Sequence, residues 1–300
     1  MNENKQIRRE AWQALWDRSW FWKLLGAHLL LQISTQVIAM CVNLLHAAVS
    51  GDTAFAAGSP GKTDIPFALL YVFIVLILSG ISKYGLTKML NRAADDDSAD
   101  WLKDAFGGFR IPLGLAWLGF RVAAVYAFYL APAFVVLVGA SSLSLSLLGD
   151  ANEGLAIAVA SGLISVAFVL GTALFCIPFY RYRYLFRIKA DNPDWTAGEC
   201  MSHCRRLVSG EKWRMFKLDC SYWKQFLPAL LMTVLIAADL AYFFVSAGSR
   251  PVLDTVACAA VLIPAYFGLV ILSLIAAFSN GVGQSVLYRK ISAEKDISQI

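Results

Sequence analysis

Residues 111–139 read IPLGLAWLGFRVAAVYAFYLAPAFVVLVG, a run whose single charge is Arg121. A bilayer core of about 30 Å is crossed by about 20 mostly apolar residues in a helix. This run is long enough to cross with a tilt or a break. Five more apolar runs follow the same rule, at 24–49, 66–82, 154–180, 226–247 and 256–279. The 300-residue chain is 58% apolar and 16% charged, whereas a soluble domain carries about a quarter charged residues. The expected fold is therefore an all-α integral membrane protein with six transmembrane helices.

The basic residues orient these spans. With the N-terminus placed inside, 23 of the 26 Lys and Arg fall in cytoplasmic segments. Lys62 and Arg250 alone fall in external loops, and Arg121 lies within the third span. Cytoplasmic loops carry such an excess in membrane proteins, so both termini are expected inside. The net charge of +5 follows from this bias, and nucleic acid is not an expected partner. Eight of nine Trp lie in the same cytoplasmic segments, as rings that prefer the headgroup level do. No cleavable leader and no lipid attachment is expected.

The domain reading follows. Residues 1–23 form a cytoplasmic amphipathic helix, with Ile7, Ala11, Trp12, Leu15 and Trp16 on its apolar face. A basic helix of this kind is expected to lie in the membrane interface. Residues 24–279 form the six-span domain, with cytoplasmic interfacial segments at 83–110 and 181–224, and 280–300 is a cytoplasmic tail.

The segment 181–224 holds the densest chemistry. Asn192 with Pro193 suits a helix start, and Thr196 with Glu199 forms an alternative capping box. Gly210 is expected to end that helix. Cys200, His203 and Cys204 invite a metal reading. The competing reading places Cys200 and Cys204 in an apolar stripe with Ala197, Met201, Leu207 and Val208, where free cysteine packs as a small hydrophobe. Zinc would need a fourth ligand, and a haem-attachment motif has its His after the second Cys. The three residues are read as structural, and neither metal nor cofactor is expected.

Other short patterns accumulate along the chain. Pro178 precedes Tyr182 and Tyr184. Asp191 and Pro193 make an Asp-x-Pro turn. Ser202, then Gly210 with Lys212, then Phe216 and Trp223 follow, and REAWQAL, Gly85 before TKML, AFGGF at 105–109 and VLYRKI lie elsewhere. Together these resemble the bacterial polytopic membrane family called domain of unknown function 975, over nearly the whole chain. Phe179 stands where that family often has Gly. The resemblance implies an integral protein of the bacterial cytoplasmic membrane and implies no activity.

Two constellations remain. Asp96, Asp97, Asp100 and Asp104 spell D-D-x-x-D-x-x-x-D, similar to the aspartate-rich motif of intramembrane prenyltransferases. Carboxylates one turn apart can hold Mg²⁺ against a diphosphate, but Asp also favours helix starts, and the second motif of those enzymes is absent. Arg121 and Asp239 are charges inside apolar spans, where charges mark pairs or pathways; alternatively, each snorkels to a nearby polar zone. The favoured role is a non-catalytic accessory, binding or assembly protein, its partners the lipid bilayer and other membrane proteins. A transporter of a small amphiphilic or charged solute is the alternative, and an Mg-dependent prenyltransferase-like enzyme is the second.

Overall fold

The computed structural model describes residues 3–50, 64–95, 100–148, 153–246 and 252–297. Every regular element among them is a helix. The longest are α2 (Trp20–Ser50), α3 (Asp64–Asp95), α5 (Pro112–Leu148), α6 (Glu153–Arg181) and α11 (Val252–Ile297). These five each carry a stretch long and apolar enough to cross a membrane. The sixth stretch, 226–247, lies largely in α10 (Trp223–Ser246), and several side chains in its second half, Asp239 among them, lie outside the described residues. The shorter helices are α1 (Glu3–Trp16), α4 (Trp101–Ala105), α7 (Leu185–Asp191), α8 (Ala197–Val208) and α9 (Lys212–Ser221).

The chain forms two compact units. The first comprises Met1–Gln36, Gly85–Phe106 and Trp213–Ile300. Its core starts from the period of α1, whose Ile7, Ala11, Ala14 and Leu15 are buried. Ala11, Ala14 and Leu15 cluster with Trp20, Phe21 and Leu24 of α2, Met89 of α3, and Phe278 and Val282 of α11. The stripe expected to rest on lipid is thus covered by protein. Helical period defines an apolar face but not what covers it. Trp12, expected on that stripe, is 47% exposed.

One further expectation changes in this unit. The segment read as a tail from 280 onward continues α11, which runs to Ile297 with Val282, Leu287 and Ile291 buried. Ser285 donates to Asn91 Oδ1 at 3.1 Å, and Gln284 donates to Asp219 Oδ1 at 2.8 Å. The sequence reading stopped the span at Ser279, where polar residues begin; of these, Gln284 and Ser285 are paired inside the unit. Helix α4 ends at Ala105 and is followed by a 3-10 turn at Gly107–Arg110. A Cβ on Gly85 would sit 2.0 Å from the Ala105 carbonyl oxygen, so α3 and α4 meet where only glycine fits.

The second unit comprises Val37–Tyr84 and Gly107–Lys212. Its main pairing is α5 against α6. Ala133 and Ala167 are buried there, and a Cβ on Gly171 would touch the Ala133 methyl at 3.4 Å. The small stripe Ala167-x-x-x-Gly171 therefore serves close packing within the chain. Helix α6 runs through Pro178 to Arg181, and the Tyr182 amide donates to the Pro178 carbonyl at 2.9 Å. Much of the surface of α5 and α6 is large and apolar, including Leu113, Phe128, Phe134, Val135 and Phe168. Soluble monomers rarely expose patches of this kind.

Candidate functional site

Helix α8 starts where the capping box is and not at Pro193. The Glu199 amide donates to Thr196 Oγ1 at 3.3 Å, and the Thr196 amide donates back to Glu199 Oε2 at 2.7 Å. These bonds hold the Glu199 carboxyl below its ordinary range. Asn192 instead closes α7, its amide donating to the Ile188 carbonyl at 2.9 Å. The reciprocal pair at Thr196 satisfies two groups, which a proline start cannot do. At the other end Gly210 adopts φ +86°, the left-handed geometry expected just past a helix.

The turn between α7 and α8 shapes a pocket. Lys189, only 6% exposed, donates from Nζ to the carbonyls of Pro193 at 2.7 Å and Trp195 at 2.5 Å. Across from this turn lie Gly114, Trp117 and Arg121 of α5, on one helical face. The pocket is open on one side, its volume is about 500 Å³, and its walls are completed by Thr196, Ala197 and Gly198. The Arg121 guanidinium stands 5.1 Å from the Trp117 ring centre. A Cβ on Gly198 would lie 3.4 Å from Arg121 Nη1, so the cation rests against the first turn of α8. No carboxylate lines this pocket among the described residues.

Arg121 was legible in the sequence as a charge within an apolar run. Its long stem carries the head to the start of α8. Whether it meets Asp239 lies outside the described residues, because the Asp239 side chain does. Lys189 and Trp195 were missed. Their signal was the Asp191-x-Pro193 turn, which sends backbone carbonyls toward a lysine two residues upstream.

The cysteines pack as the apolar stripe required. Cys200 and Cys204 are fully buried on α8 with Ala197, Leu207 and Val208. Burial raises both thiols, Cys204 to about 12. His203 points elsewhere, edge-on to Trp195 at 5.1 Å. Among the described residues, no three His, Cys, Asp or Glu are grouped to hold a metal.

The aspartate run is divided. Asp96 and Asp97 lie outside the described residues. Asp100 is exposed at the start of α4. Asp104 turns inward, its carboxylate 3% exposed, against Lys88 Nζ at 2.9 Å and Arg92 of α3. Its charge is thereby matched within the first unit. Elsewhere in that unit, Arg214 of α9 bridges Glu3 of α1 and Glu294 of α11. Asp95 meets Arg289 at 2.5 Å, beside Glu10 and Lys290.

Among the described residues, these features define a helical protein with five membrane-length apolar helices and a small cationic pocket. The chain matches no protein-family model, no curated protein and no solved structure.

Proposed function

We propose that this is a six-span protein of a bacterial cytoplasmic membrane, with both termini inside, that works as a non-catalytic accessory, binding or assembly protein. The membership suggested by the resemblance to the domain of unknown function 975 family belongs to the same reading. The observation that carries it is the charge asymmetry, 23 of 26 basic residues on one side of the apolar runs, joined to the five long apolar helices. Helix α10 supplies the sixth crossing. An odd number of crossings would place the termini on opposite sides, against the positive-inside rule. The non-catalytic reading is preferred to the prenyltransferase-like one because Asp104 is engaged by Lys88 and Arg92. Lipid and other membrane proteins are the partners this reading implies.

Single-cysteine labelling in intact cells tests it. A membrane-impermeant reagent should reach probes at 52–62 and 248–252 but not at 196–212. Labelling of 196–212 from outside would overturn the orientation.

A further inference from the structure

We propose that the pocket formed by Arg121, Lys189, Trp117, Trp195 and the first turn of α8 is a binding site for a phosphate group. The proposal rests on reading the protein as a membrane binding protein and names the chemistry it would bind.

Three observations converge. First, the pocket is lined by two cationic side chains and by no carboxylate among the described residues. Lys189 is nearly buried, yet the partners found for its Nζ are neutral carbonyls. That charge is oriented by the two carbonyls, and the carboxylate it acts on, Glu199, lies outside the pocket lining. Secondly, the Arg121 head is placed by a cation–ring contact and by close approach to Gly198. A guanidinium offers a planar fork suited to phosphate oxygens. Thirdly, the walls include Ala197 and Gly198, whose amides belong to the opening turn of α8 and have no partner within the helix. Glu199 does not occupy the pocket, because its carboxylate folds back onto the Thr196 amide and hydroxyl. Two cations and a helix start facing one space favour an anion with several oxygens. About 500 Å³ accommodates a phosphate with part of a carrier molecule.

A phosphate can arrive free in solution or as the headgroup of an anionic lipid. Calorimetric titration of the purified full-length protein in neutral detergent separates the two. The probes are inorganic phosphate, dioctanoyl phosphatidic acid and dioctanoyl phosphatidylcholine. The expected result is saturable binding of phosphatidic acid or inorganic phosphate, weakened roughly tenfold or more in Arg121→Gln. Arg121→Lys should fall between Arg121→Gln and the parent protein, which separates lost charge from lost fold. Comparable binding of both anions supports a soluble source, and binding of phosphatidic acid alone supports a lipid. No saturable binding of either anion, equal binding of phosphatidylcholine, or unchanged affinity in Arg121→Gln would overturn the site. Titration in detergent does not read orientation, so a blank titration leaves the six-span reading standing, and a reversed labelling pattern leaves the pocket standing.

Discussion

Leu15 of α1 is fully buried, whereas Phe168 of α6 is 75% exposed. Yet α1 is a largely polar helix with charges along its length, and α6 is apolar nearly throughout. In the first unit the tight core is built from amphipathic and span-end segments, with Ala11, Leu15, Trp20, Met89 and Val282 enclosed. In the second, α5 and α6 meet along small residues and leave their large ones facing outward. Lipid solvates apolar side chains as well as another helix does, so membrane helices associate through close fit and not through burial of their largest residues. A helix bordering water has no such alternative and must hide its apolar stripe in protein. Hydropathy therefore ranks the two regions in the reverse order of their burial.

The sharpest way to break the contrast is by glycine. Gly85→Ala drives a methyl into the backbone at Ala105, and neither helix can yield cheaply. We expect a loss of about 3 kcal/mol or more, read as failure to purify or a large drop in melting temperature in detergent. Gly119 on α5 has open space around it. Gly119→Ala should stabilise by up to about 1 kcal/mol, the ordinary helical preference for alanine. Equal losses for the two would show that the α3–α4 approach is not the constraint described.

Truncation comes next. Leu15→Ala opens a cavity in a closed core and should cost about 2–5 kcal/mol. Phe168→Ala removes a larger side chain from an outward face and should cost less than about 0.5 kcal/mol. A larger loss for Phe168→Ala would place that ring in a contact of its own.

The smallest effect is electrostatic. Arg214 holds the Glu294 carboxyl below its ordinary value of about 4.5 through their hydrogen bonds. A depressed carboxylate contributes stability above its unfolded pKa and loses it as pH falls through the lower folded value. Glu294 is mostly exposed, so solvent screening keeps this to a few tenths of a kcal/mol. Melting temperatures of the parent and Glu294→Gln should differ slightly at pH 7 and converge as pH falls below the lowered folded value. A constant gap across that range would assign the effect to something other than the ion pair.

Several features were legible because they are local. The runs at 24–49, 111–139 and 154–180 lie within helices, since twenty apolar residues in lipid have few other ways to satisfy their backbone. Thr196 and Glu199 cap α8, and Gly210 follows its end, because both depend on neighbours within four residues. The Cys200–Cys204 stripe needed only the helical period. The pocket was not legible. Arg121 is remote in sequence from Lys189 and Trp195, and no local pattern says that its guanidinium meets the start of α8.

Chain order and composition alone determined that this protein is helical, apolar in long runs and asymmetric in basic charge, because each follows from what a short segment can do in lipid or water. Tertiary structure decided what covers each apolar face, which aspartate turns inward and which cations share a pocket. Those outcomes depend on distances between segments far apart in the chain: Gly85 against Ala105, Asp104 against Lys88, Arg121 against Gly198. No periodicity encodes such distances, because they are set by how whole helices pack and not by the preferences of any one of them.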